Sequence, residues 1–106
     1  MTDGPPPPAV DLVIADSAER RRYEATIGGE VAGVLEYVVK RERIALIHTE
    51  VSPGHEGQGV AAALARSALD DARRRGLRVI AICPYVQRYL ERHPEDGDIV
   101  VGRSPT

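Results

Sequence analysis

A chain of 106 residues is one domain with room for a single modest core. Apolar types make up 42% of it, but with no Phe or Trp that core must be Val, Ile, Leu, Ala and four tyrosines. A net charge of −2 leaves no footprint for nucleic acid or an anionic membrane, and the lone Cys83 excludes an internal disulfide and most zinc arrangements.

The first twenty residues, MTDGPPPPAVDLVIADSAER, lack a basic start and a long apolar run, and no stretch reaches membrane-spanning length. The expectation is a soluble cytoplasmic protein with no membrane partner. Residues 1–9 carry Gly4 and the run Pro5 to Pro8, which favours an extended polyproline II tail outside the core. A single domain is expected over 10–102, with 103–106 as a short tail.

Val10 to Ile14 reads as a short strand ended by Asp16 and Ser17. After the basic run Arg20 to Arg22, Tyr23 to Ile27 alternates as a half-buried strand does. Gly28-Gly29 is a two-residue hairpin turn. Glu30 to Lys40 resumes as a long strand, with a bulge expected near Gly33. Arg41-Glu42 makes a second tight turn, and Ile44 to Val51 is the third strand of an antiparallel meander.

The stretch from Ile44 to Arg75 organises the rest. The apolar run IALIHTEV feeds the Pro/Gly-rich loop SPGHEGQGV, which opens the helical run AAALARSALDDARRR, stopped by Gly76. Val60, Leu64, Ala68 with Leu69, and Ala72 share one helix face, and Arg66, Asp70, Arg73 and Arg74 share the other. Arg73 to Arg75 end the helix where cations suit its dipole, a solvated end or a contact for a ligand phosphate. Leu77 to Ile82 reads as a short strand buried on both faces and parallel to Ile44–Val51, since one helix separates them. Pro84 begins a second helix reaching about His93, where Pro94 stops it, and Ile99 to Val101 is a last edge strand. The pattern β-β-β-α-β-α is an α/β domain with a mixed sheet.

A strand feeding a glycine loop that opens a helix is built to hold phosphate. The first helical N–H groups have no intrahelical partner, and the aligned peptide dipoles favour an anion there. Three loops of this kind compete. The triphosphate loop GxxxxGK[ST] is matched at Gly54 and Gly59, but Val60 and Ala61 stand where lysine and a hydroxyl are required. The dinucleotide fingerprint is matched at Gly57, Gly59 and Ala62. It also needs an acid closing the next strand, which here ends Cys83-Pro84.

The third pattern is Gln/Arg-x-x-Gly-x-Gly/Ala after a strand ending Val-x-Pro, the pyrophosphate loop of the GNAT superfamily of N-acetyltransferases. Val51-Ser52-Pro53 and then Glu56-Gly57-Gln58-Gly59-Val60-Ala61 resemble it, departing at Glu56, where the family has Gln or Arg. With His48-Thr49-Glu50-Val51 before the loop, and Cys83-Pro84-Tyr85 and Tyr89-Leu90-Glu91-Arg92-His93-Pro94-Glu95 after it, the chain resembles the small single-domain YjdJ-type branch over roughly residues 10–95. The resemblance implies a compact mixed sheet lacking the early helices of larger members, acetyl-CoA as co-substrate, and an amine as acceptor. It places the coenzyme on Val51, Glu56, Gly57, Gln58, Gly59, Val60, Ala61 and Ala62, largely through backbone amides, with the Glu56 carboxylate turned outward. It also implies that Ile44–Val51 and the strand after the helix splay apart around the pantetheine arm.

Acetyl transfer to an amine needs a base, and an acid for the departing thiolate. Glu50 is the first candidate base and His48 the second, because strand alternation puts both on one face alongside Leu46 and Ile44. Glu50 reads equally as a solvated strand-end charge. By the resemblance Tyr89 is the acid, with Tyr85 one turn earlier as alternate, and either is also a fitting core aromatic. Cys83 precedes a proline suited to the first helical position and so falls at the N-cap, where the dipole can lower a thiol pKa. It is either a nucleophile that carries the acetyl group or a small buried hydrophobe. His55 is expected to be exposed and His93 to be a structural stop, and three scattered histidines with one cysteine give no metal site.

Two functions therefore compete. One is an acetyl-CoA-dependent N-acetyltransferase acting on a protein lysine, an N-terminus or a small amine. The other is a CoA-binding sensor or partner module without turnover, kept open by Glu56. No heptad or apolar stripe declares an interface, so a monomer or weak dimer is expected.

Overall fold

The computed structural model describes residues 12–103, so Pro5 to Pro8, Val10 and most of the C-terminal tail lie outside the described residues. Strand β1 (Leu12–Ser17) leads through a 3-10 turn at Ala18–Arg20 into β2 (Arg22–Ile27) and β3 (Glu30–Lys40). The β2–β3 hairpin closes at Gly28-Gly29 with φ of 60° and 85°, the twist that a two-residue turn requires. Strand β4 (Arg43–Val51), helix α1 (Val60–Arg75), strand β5 (Arg78–Ala81), helix α2 (Pro84–Arg92), a 3-10 segment at Pro94–Ile99 and strand β6 (Val100–Gly102) complete the chain. The six strands lie in sequence order, β1 to β4 antiparallel and β4, β5 and β6 parallel. The mixed α/β sheet expected from the pattern is the one found.

Both helices cover the same face of this sheet, hereafter the helix face. Val60, Leu64, Ala65, Ala68, Leu69 and Ala72 of α1 and Val86, Tyr89 and Leu90 of α2 join one cluster with Ala25, Leu35, Ile44, Leu46, Val79 and Ala81. The other face has no covering layer among the described residues, and Val13, Val31 and Val38 are exposed on it.

Three expectations are corrected. Strand β1 runs on through Asp16 and Ser17, because they pair with Tyr23 and Arg22 in the antiparallel ladder. Strand β5 is buried on one face only: Val79 and Ala81 are enclosed, Arg78 is exposed, and Ile80 is half-buried on the open side. The third concerns β4. Glu36 faces His48 but Tyr37 faces Leu46, so Ile47 is an extra residue, a bulge. One inserted residue inverts the period-two alternation. Ile44 and Leu46 are buried on the helix face, whereas His48 and Glu50 are exposed on the open face. They share a face with each other and not with Ile44 and Leu46. A second bulge, at Ala32, lies beside Gly33 as expected.

The base of the fold is closed by charge and phenol. Tyr23 donates to Asp71 Oδ2 at 2.7 Å and Tyr37 to Asp16 Oδ1 at 2.5 Å, with the two rings 5.0 Å apart. Arg74 and Arg75 hold Asp71, and Arg73 holds Asp96 and Asp98, so the basic end of α1 is tied into the fold.

Candidate active site

Strand β4 pairs with β5 only from Arg43↔Arg78 to Leu46↔Ala81. The Leu46 carbonyl then accepts from both Ile82 N at 3.0 Å and Cys83 N at 2.8 Å, and β4 continues through its bulge to Val51 without a β5 partner. The two parallel strands part at this point.

Beyond Val51 the loop ends at Gly59, the N-cap of α1, with φ 78° and no side-chain cap. Its carbonyl accepts from Ala63 N at 3.0 Å. The N–H groups of Val60, Ala61 and Ala62 precede the first intrahelical donor, and no acidic side chain stands in the first turn. Positive φ is the reason for glycine at position 59, since a Cβ there would meet nothing within 4 Å. Gly33 is glycine for a different reason. A Cβ on it would come within 2.7 Å of Val60 Cγ1 and 3.0 Å of the Glu50 carbonyl, so its absence lets the start of α1 lie against the bulged part of β3.

A cleft of about 240 Å³ opens on this helix start, lined by Val51, His55, Glu56, Gly57, Gly59, Val60, Ala61, Ala62 and Tyr85. Seven of the eight residues expected to bind the coenzyme are therefore gathered at one place. Gln58 is not in the lining; its side-chain carbonyl accepts from His55 Nδ1 at 2.8 Å. His55, expected to be exposed, is half-buried, because Gln58 and Glu30 hold its ring from two sides. One Glu56 carboxylate oxygen accepts from Gly54 N at 3.0 Å, which folds the carboxylate back onto its own loop.

A second depression of about 220 Å³ shares Ala62 and Tyr85 with the first and adds Arg88, Tyr89, Arg92 and His93. Tyr85, Tyr89 and His93 are one turn apart along α2, the Tyr89 and His93 rings stacked at 4.0 Å. His93 caps α2, with its Nδ1 2.9 Å from the Tyr89 carbonyl, which suits a structural stop. Burial pushes the Tyr89 hydroxyl above its ordinary range, so it carries its proton at neutral pH.

Cys83 is the N-cap of α2, with Pro84 at the first helical position, and is 2% exposed. Its Sγ lies 3.2 Å from Thr49 Oγ1 across the parting of the strands. His48 Nε2 and Glu50 Oε1 are 3.6 Å apart on the open face. The structure thus brings Cys83 to Thr49 on the helix side, Tyr89 to Tyr85 beside the cleft, and His48 to Glu50 on the opposite side of the sheet.

Reading the sequence missed Thr49, whose position follows from the bulge, and assigned no cleft role to His55. No helix of the described residues is long and apolar enough to cross a membrane.

The family model described as GCN5-related N-acetyl-transferase matches residues 22–99. The chain is similar to Protein NATD1 of Mus musculus, 31% identical over 101 residues that cover 89% of this chain and 91% of that one. Protein NATD1 of Homo sapiens is 38% identical over 81 residues, covering 72% and 71% of the two chains. Among solved structures, a GCN5-like protein from Staphylococcus aureus shares the fold, with a TM-score of 0.66 and 24% identity over 91% of this chain and 94% of that one. Ard1 from Thermoplasma volcanium aligns at a TM-score of 0.55 and 17% identity, over 74% of this chain and 56% of that one.

Proposed function

The chain belongs to the GCN5-related N-acetyltransferase family, and from that premise we propose that it moves an acetyl group from acetyl-CoA to a primary amine. The observation that carries this reading is the uncapped, acid-free start of α1 beside the point where β4 leaves β5. Free N–H groups at a helix N-terminus suit a pyrophosphate. The fold-back of Glu56 onto Gly54 supports the same assignment, since it occupies one oxygen of the only carboxylate in the cleft lining.

In this proposal the amides of Val60, Ala61 and Ala62, with the loop from Glu56 to Gly59 and the edge at Val51, hold the coenzyme. Acetyl-CoA supplies an activated thioester. Glu50, with His48 beside it as the second candidate, takes the proton that the acceptor ammonium must lose before it can attack. Tyr89 holds a proton at neutral pH and is placed on the helix layer to return one to the departing sulfur. Cys83 offers a second route: its sulfur bonds the acetyl carbon as the coenzyme C–S bond breaks, its proton leaves with the coenzyme thiol, and the amine then displaces it.

Thermal unfolding with acetyl-CoA, with NAD as the control, tests the assignment. A ligand at a hundred times its dissociation constant adds about 2.7 kcal/mol, which moves a domain of this size by roughly 10 °C or more. A rise with acetyl-CoA alone is expected. No rise, or an equal rise with NAD, removes the coenzyme assignment. Binding without turnover of any amine would instead favour the sensor reading.

A further inference from the structure

A concavity of about 940 Å³ lies on the open face, at the end of β4 away from the loop. Its floor is Val38, Ala45 and Ile80, and around it stand Lys40, Arg41, Arg43 and Arg78, with Glu42 the one acid. Among the described residues none of these five charged groups makes an ion pair, whereas Arg20, Arg22, Arg73, Arg74 and Arg75 each hold a carboxylate. Arg41 also sits at φ 57° in the β3–β4 turn, a conformation that costs a side-chain-bearing residue about 1 kcal/mol and that Gly or Asn adopts more readily. A chain of net charge −2 therefore gathers four cations, with one acid, around one apolar floor, and none of the four pairs with a carboxylate among the described residues.

The same face has the opposite sign at its other end. Glu36 pairs in register with His48, and Val34 with Glu50, so two carboxylates, Glu36 and the candidate base Glu50, lie beside His48 while the cations cluster at the turn. Seven residue steps separate Glu50 from Arg43, one of them absorbed by the bulge at Ile47. At about 3.3 Å per step that is roughly 20 Å, six residues of extended chain.

We propose that this face docks an acidic polypeptide segment, its amine at Glu50 and His48 and its carboxylates over Lys40, Arg41, Arg43 and Arg78 about six residues away. The amine end rests on the acetyl-transfer reading, and the anionic end on the groove alone. Val38 stands exposed at the cation end of that path, and Glu36, opposite His48, favours the amine at the other end. A nucleic acid fits poorly, because its continuous phosphates would run onto Glu36 and Glu50.

The test is fluorescence anisotropy with the full chain and a labelled peptide carrying a lysine, a six-residue neutral spacer and a run of four glutamates. Binding should weaken about tenfold in Arg43→Glu/Arg78→Glu and should fall as salt rises. The same peptide with glutamines should not bind. Undiminished binding by the double variant, binding of the glutamine peptide, or tighter binding of a single-stranded oligonucleotide of equal charge overturns the proposal. The acetyl-CoA thermal shift, read on the same double variant, reports on folding and on the coenzyme separately. Peptide binding without that shift would keep the docking surface and remove the transferase reading.

Discussion

Thr49 Oγ1 stands 3.2 Å from Cys83 Sγ at the point where two parallel strands part. The contact orients a thiol that is otherwise enclosed by the core and placed at the positive end of α2. If the covalent route operates, wild-type protein incubated with acetyl-CoA gains about 42 Da, one acetyl group. Cys83→Ala should abolish the gain, and Thr49→Val should slow it with folding retained. Intact mass spectrometry reads both, and a gain that persists in Cys83→Ala assigns the acetyl group to another residue.

Tyr89→Phe keeps the ring that stacks on His93 and removes only the hydroxyl. Turnover should fall about a hundredfold, within the usual range for a general acid, while the acetyl-CoA thermal shift is unchanged. Because burial raises the Tyr89 pKa, its proton should impose no alkaline loss of rate below about pH 10. An unchanged rate in the variant strikes Tyr89 from the mechanism.

Gly33→Ala should destabilise the fold by about 1–3 kcal/mol, the usual cost of overpacking, because Val60 and the Glu50 carbonyl must both give way. Since Val60 opens α1, acetyl-CoA should bind more weakly too. Urea unfolding and coenzyme titration of the same sample separate the two effects, and wild-type values for both would show that the helix start yields easily.

Gly59→Asp should abolish coenzyme binding. A Cβ at this position meets no protein atom within 4 Å, so the effect comes from a strained positive φ, about 1–2 kcal/mol, and from an anion set beside the phosphates. Gly59→Ala carries the strain without the charge and should retain weakened binding. Equal binding by both variants would remove the phosphates from this loop.

Stability should fall at both extremes of pH. For Asp71, burial alone would raise the pKa, but hydrogen bonds from Tyr23 and Arg75 outweigh it and hold it below the ordinary value. A depressed folded pKa gives stability that is present above the unfolded pKa of about 4 and lost as pH drops through the folded value. Burial followed by the bond to Asp71 raises Tyr23, and burial followed by the bond to Asp16 raises Tyr37 to about 12. A raised folded pKa gives stability present below about pH 10 and lost as pH climbs through the folded values. Urea midpoints between about pH 8 and pH 12 should therefore decline. In Tyr23→Phe/Tyr37→Phe the midpoint should be lower at pH 8 and the alkaline decline flatter.

The sequence alone determined whatever is local: the Gly28-Gly29 hairpin, the apolar face of α1 from Val60 to Ala72, its stop at Gly76, and Cys83-Pro84 opening α2. The uncapped helix start behind the glycine loop was legible for the same reason, because turn chemistry and helical period act over a few residues. Only the tertiary structure decided which way β4 presents its side chains. The bulge at Ile47 exists in the pairing of β4 with β3, and no composition marks it, yet it turns His48 and Glu50 to the open face and Thr49 toward Cys83. The approach of Val60 to Gly33 and the separation of carboxylates from cations along the open face have the same origin. They arise between segments far apart in the chain, where register sets the neighbours.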